Sequence, residues 1–214
     1  MTNKEPVSHH KTITLIVFLC AAIMASVFVY HAKQTSNPTI YANDKASIFA
    51  VSREIKPFEL VTQNGQTFSQ KNLNDHWTLL FFGFTHCSNV CPTTLEMMNR
   101  SYAKLHDFYP NLQIVLVSLD PDRDTPDAVS KYAQSFNQAF IGSTGKLNEL
   151  RKLQSQFGIY AAREGTGNDY QLQHTSSIML IDPKGKWAGL FNYGMKPETF
   201  INTFDESVKA FSQS

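Results

Sequence analysis

Two stretches of the chain are apolar almost without interruption, Trp77 to Phe84 and Leu112 to Leu119. A half-exposed strand would alternate, so unbroken runs of this length predict strands buried on both faces. Behind each run the period changes. After Pro92, the residues Leu95, Met98, Tyr102, Leu105 and Tyr109 recur at helical spacing. Pro126 opens a second helix reaching about Phe136, with Thr125 placed to cap it. Leu147 to Phe157 predicts a third helix and Lys196 to Phe211 a terminal one. Ser177 to Ile181 and Trp187 to Phe191 predict strands joined by the turn Asp182-Pro-Lys-Gly-Lys. A small hairpin is expected ahead of the first buried strand, Phe58 to Thr62 returning through Asn64-Gly65 to Thr67-Phe68.

Strand, helix, strand, helix, then a hairpin and a closing helix is the order of a thioredoxin-like α/β fold, a central mixed sheet flanked by helices. Residues 12–30 stand apart from it. They read TITLIVFLCAAIMASVFVY, without a charge. As a helix the run is about 28 Å long, close to the hydrocarbon thickness of a bilayer. It exceeds the apolar stretch of a cleavable signal and no small-x-small site follows it, so an uncleaved transmembrane anchor is expected. Leu19 stands where a lipoprotein signal wants a small residue, which leaves Cys20 a lipid-facing packing role. The expected organisation is a cytoplasmic arm at 1–11, the anchor at 12–30, a polar tether at 31–50 and the domain at 51–214. Lys4 and Lys11 precede the anchor and Lys33 follows it. With so short an arm, the positive-inside tendency puts the domain outside, in the periplasm of a single-pass inner membrane if the source is bacterial.

The formal net charge of the 214 residues is +1, so the basic footprint of a nucleic-acid binder is missing. Three cysteines, one of them in the anchor, exclude a disulfide-stapled scaffold. The remaining pair carries the chemistry. Cys87 and Cys91 follow the end of the first buried strand, where ligands gather in open α/β sheets. In a helical segment, positions four apart share a face, close enough for a disulfide or a shared metal ion. A helix N-terminus also favours thiolates. Three residues separate them, not the two of the ordinary thioredoxin motif. Two thiolates make an incomplete zinc site but suit Cu(I), a soft ion that accepts low coordination. A third ligand is then expected, and histidine is its natural source.

Of seven histidines, His9 and His10 lie in the arm and His31 in the tether. His76 and His106 read as solvated, and His86 adjoins Cys87, where neighbouring side chains diverge. His174 precedes a strand that reads as central, where it can face the cysteine loop. Spacing alone serves a ligand and a capping or packing role equally. Asp120, Asp122 and Asp124 lack the glycine and distal glutamate of a calcium loop and read as turn and cap residues, with Arg123 paired to one of them. Met97 and Met98 read as helix packing. The Gly-rich stretch 160–173 reads as a mobile loop over the site.

Three segments in this order, FGFTHCSNVCPTTL, SLDPDRDTPDAVSKYAQSF and HTSSIMLIDPKG, resemble the Sco/SenC family of copper proteins, and the likeness spans most of residues 55–210. The resemblance implies a membrane-tethered, thioredoxin-like protein that binds Cu(I) or Cu(II) through Cys87, Cys91 and His174. It implies delivery of copper to the dinuclear site of cytochrome c oxidase subunit II, or reduction of a cysteine pair there, with an upstream copper donor or thiol reductant as a further partner. The residue before the histidine is commonly acidic in that family and here is Gln173. The alternative is a periplasmic thiol-disulfide oxidoreductase in which Cys87 attacks and Cys91 resolves; metal binding needs His174, and thiol exchange does not obviously need it.

Overall fold

The computed structural model describes residues 9–35, 39–167 and 169–212. They fall into two compact units, parted between Pro38 and Thr39. The first unit contains α1 (His9–Thr35). Its described side chains, at 13–27, are exposed, Cys20 among them. Among the described residues, no helix is long and apolar enough to cross a membrane. Most of the expected arm, residues 1–8, and the side chains of His9, His10 and His31 lie outside the described residues.

The second unit is built on a seven-stranded mixed sheet. Its strands are β1 (Thr39–Ala42), β2 (Ala46–Arg53), β5 (Trp77–Gly83), β6 (Leu112–Ser118), β7 (Ile141–Ser143), β10 (Ile178–Ile181) and β11 (Trp187–Phe191). Between them lie β3 (Glu59–Val61) with β4 (Thr67–Ser69), and β8 (Ala161–Glu164) with β9 (Gln171–His174), two separate hairpins. The sheet order is β1-β2-β11-β10-β5-β6-β7. β5, β6 and β7 run parallel, while the pairs from β1 to β10 and the junction of β10 with β5 are antiparallel. The helices are α2 (Val90–Phe108), α3 (Pro126–Phe136), α4 (Leu147–Phe157) and α5 (Pro197–Ser212).

The unbroken apolar runs bury both faces of the sheet. Leu79 and Phe81 of β5, with Ile114 and Leu116 of β6, enter one core under α2, α3 and α5. Leu80 and Phe82, with Val115 and Val117, enter the other, under α4 and the β3–β4 hairpin. Alternate side chains of a pleated strand point to opposite faces, so a strand covered on both sides must be apolar throughout. In the second core Phe49 and Phe157 meet Trp187 edge-on, with ring centroids 5.0 and 5.1 Å away.

Two expectations are corrected, and one strand was not foreseen. The tether was expected to run to residue 50, but β1 and β2 lie there and pair into the sheet, so the folded unit begins at Thr39 rather than 51. The stretch 160–173 was expected as a loop and instead forms most of the β8–β9 hairpin. The edge strand β7 went unpredicted because three residues give no period. The expected turn at Asn64-Gly65 is present, with φ of 59° and 71°. Thr125 caps α3 as expected, its side chain accepting from Ala128 N at 3.2 Å.

β7 lies so close to α3 that position 142 admits no side chain. A Cβ on Gly142 would come within 2.4 Å of the Val129 carbonyl oxygen. Neither side of that contact is a flexible side chain, so relief requires a backbone shift. Gly142→Ala is expected to cost about 3 kcal/mol of stability. A denaturant titration checks this, and an unchanged midpoint would show that α3 is free to move off β7.

Candidate metal centre

The site begins where β5 ends. After Gly83 the chain passes through Phe84, Thr85 and His86 to Cys87, then enters α2, of which Cys91 is the second residue. The first four N–H groups of a helix have no partner within it, so Pro92 costs no hydrogen bond at the third position. The N-cap residue Asn89 makes no capping bond to the backbone. Cys87 caps instead, its Sγ accepting from Cys91 N at 3.4 Å. This turns one sulfur toward the positive end of the helix and leaves Cys91 buried beneath it.

Two further contacts seat the pair. A buried carboxylate, Asp124, accepts from Thr85 N at 2.9 Å and from the hydroxyls of Thr85 and Ser118. Leu119 N donates to Gly83 O at 2.8 Å and carries the β5–β6 contact one step past the sheet. Gly83 itself makes room for sulfur. A Cβ there would lie 2.9 Å from Cys91 Sγ and 3.2 Å from both Leu116 and Phe81.

His174 arrives from the opposite direction. It ends β9, paired with Ala161 of β8, and the next residue is held by Thr175 N donating to Tyr160 O at 3.1 Å. Its ring meets Phe81 and Phe84 edge-on at 6.1 and 5.9 Å. Its Nδ1 is 2.9 Å from the Thr175 carbonyl oxygen. A carbonyl only accepts, so Nδ1 carries the proton. Nε2 is left with its lone pair, 3.5 Å from Cys91 Sγ. This is the tautomer a metal-binding imidazole presents, fixed by a bond on its far nitrogen. Cys87, Cys91 and His174 form a group whose ligand atoms all lie within 4.8 Å of one another.

The two thiols differ in their hold on protons. Hydrogen bonding from the Cys91 side chain, with the backbone N–H groups of Cys91 and Asn89, holds the Cys87 thiol down to about 3, against the pull of its partial burial. The same bond with Cys87, followed by burial, pushes the Cys91 thiol far above the ordinary range. One proton thus sits on the inner sulfur and negative charge on the outer, half-exposed one.

The structure brings together Cys87, Cys91 and His174 and leaves the other candidates apart. His86 is exposed, its Nδ1 2.9 Å from Thr85 Oγ1 and 3.7 Å from Asp124. His76 Nδ1 lies 3.1 Å from the Asn111 carbonyl oxygen, and His106 lies beside the Tyr102 ring. Met97 and Met98 are buried in the core. Asp122 is exposed, whereas Asp120 and Asp124 are buried and bind groups outside their own turn. Gln173 donates across the hairpin to Glu164 at 2.8 Å. Tyr170, Gly83 and the link from Asp124 to Thr85 escaped the sequence reading. Only Gly83, a glycine inside a buried strand, left a signal there.

The strand order and this centre define a thioredoxin-like α/β protein with a dithiol and an imidazole at the end of its central strands. The SCO1/SenC family profile matches residues 48–209, and the chain belongs to that family. A SCO2-like protein of Rickettsia prowazekii is 29% identical over 196 residues, 90% of this chain and 96% of the relative. The structure of Bradyrhizobium japonicum ScoI with copper bound is 33% identical, covering 71% of this chain and 97% of that one, with a TM-score of 0.64. Arabidopsis thaliana ScoI with copper bound is 27% identical, covering 72% and 96%, with a TM-score of 0.67.

Because the thiolate is the nucleophile, a depressed pKa keeps Cys87 reactive in acid. Alkylation of reduced protein, followed by peptide mapping to separate Cys87 from Cys20, is expected to run at pH 5 close to its pH 8 rate. A thiol at its ordinary value of 9.0 would slow steeply over that range, which would contradict the arrangement. Gly83→Ala displaces the donating sulfur and is expected to move the Cys87 midpoint upward.

Proposed function

We propose that the protein is a membrane-tethered copper metallochaperone that carries copper on Cys87, Cys91 and His174 to the dinuclear copper site of cytochrome c oxidase subunit II. The observation that carries the proposal is the convergence of two sulfurs and one unprotonated imidazole nitrogen within 4.8 Å. Soft sulfur with imidazole suits Cu(I) and disfavours magnesium or calcium, which take oxygen. The anchor lies within α1, whose described side chains are apolar almost throughout; the orientation, with the domain in the periplasm of a bacterial source, follows from Lys4 and Lys11 against Lys33.

Cargo loading follows from the proton inventory. Cys87 is already a thiolate, and Cys91 gives up its one proton as Cu(I) takes its place between the sulfurs. His174 closes the third position without losing a proton, because Nδ1 keeps its own. Three ligands leave Cu(I) open to a fourth from an acceptor, so transfer proceeds by ligand exchange rather than by release into solvent. Oxidation of the pair passes two electrons to an oxidised partner, releases the one proton that Cys91 holds, and joins Cys87 to Cys91. Neither sulfur can then serve as a thiolate ligand, so redox state gates loading.

A second reading has its own support. A half-exposed thiolate above a buried protonated thiol is also the arrangement of an attacking and a resolving cysteine in disulfide exchange. His174 separates the two, because exchange does not use its lone pair.

Anaerobic Cu(I) titration of the reduced, detergent-solubilised full chain is expected to give one tightly held copper. His174→Ala is expected to weaken it about 100-fold, since even outer-shell changes cost 10- to 100-fold. Cys87→Ser or Cys91→Ser abolishes stoichiometric binding. Binding indifferent to His174, with disulfide exchange intact, would favour the oxidoreductase.

A further inference from the structure

His174 reaches the cysteines from a hairpin that belongs to a separate two-stranded sheet. Its distance from the sulfurs is therefore not set by the ladder of the main sheet. Leu172 of the hairpin packs against the core, but an apolar contact is non-directional and fixes no register. The directional tie runs through Tyr170, four residues before His174 and 4% exposed. Its hydroxyl donates to Asp120 Oδ1. Its backbone carbonyl accepts from Arg123 Nη1 at 3.0 Å. The guanidinium carbons of Arg123 and Arg163 each lie 3.6 Å from its ring centroid, and two planar cations at that distance fit only on opposite faces. Arg123 Nε in turn donates to Asp120 Oδ2 at 2.6 Å, so the carboxylate is shared between the phenol and the cation that stacks on it.

Asp120 and Arg123 stand in the same turn as Asp124, which holds the cysteine loop through Thr85. That turn is closed on itself, Arg123 N and Asp124 N donating to Asp120 O at 3.2 and 2.8 Å. One short segment therefore grips both halves of the metal centre: Asp124 on the side of the sulfurs, Asp120 and Arg123 on the side of the imidazole.

We propose that the turn from Asp120 to Asp124 sets the spacing of the centre, with Tyr170 as the positioning residue for His174. Tyr170 touches neither the sulfurs nor the cargo; it acts by holding β9 where Nε2 faces Cys91. The proposal rests on the copper reading for its consequence, but the latch itself belongs to the metal-free protein.

The test uses the full chain and two conservative variants. Tyr170→Phe deletes the hydroxyl and keeps the ring between its cations; Asp120→Asn keeps the shape and removes the charge. Loss of a hydrogen bond to a charged group is expected to lower Cu(I) affinity about tenfold in each. In a His174→Ala background the same changes are expected to cost nothing further, because positioning matters only while the imidazole is there. An equal loss in both backgrounds would overturn the proposal. Hydrogen exchange on the metal-free protein gives a second reading, with exchange about tenfold faster at residues 171–174 and unchanged in β5 and β10. Unchanged exchange in β9 would also overturn the latch. If the unmodified chain takes up no Cu(I), the chaperone reading falls, and faster exchange in β9 still upholds the latch.

Discussion

A single buried carboxylate decides where the chemistry of this protein sits. Asp124 is 1% exposed and, among the described residues, makes no ion pair to a lysine or arginine, yet it accepts from one backbone N–H and two hydroxyls. Removing a charge from water costs heavily unless its lone pairs are met, so the surrounding chain is forced to supply donors. Those donors come from the ends of β5 and β6. The carboxylate thereby sews together two parallel strands just beyond their last ladder bonds, and the cysteine loop departs from that seam at a fixed angle. Cys87 capping the helix, Cys91 seated over Gly83 and the meeting with His174 all follow from it.

The asymmetry of the two sulfurs arises first from the hydrogen bond between them, then from burial of the inner one and the backbone N–H groups at the start of the helix beside the outer one. The outer sulfur is available to solvent and partners, and the inner one is held in the core by Phe81, Leu116 and the empty side of Gly83. A centre built this way is accessible at one atom and protected at the other.

The parts legible in the sequence were those that burial writes into it. β5 and β6 are covered on both faces and announce themselves as unbroken apolar runs; the four domain helices carry a helical period because each buries one face. β1 escaped notice because it is a short edge strand among Asn-Pro and Asn-Asp breakers, and β2, though paired on both sides, because it follows those breakers and mixes buried with exposed positions. β8 and β9 escaped for the same reason, being partly exposed and rich in Arg, Glu and Gln. The cysteines stood out by spacing, while His174 needed the family resemblance, since 83 residues part it from Cys91. Tyr170 left no trace at all, because its meaning lies in a contact with Asp120 across 50 residues of chain.

The hairpin's separation from the main sheet has an evolutionary consequence. Substitutions that tighten the two cores raise resistance to unfolding but leave β8 and β9 nearly untouched. Substitutions at the exposed positions of the hairpin alter how the imidazole is seated and barely change global stability. Lineages living at different temperatures therefore adjust durability and the seating of the imidazole on separate genetic dials, with little compromise between them.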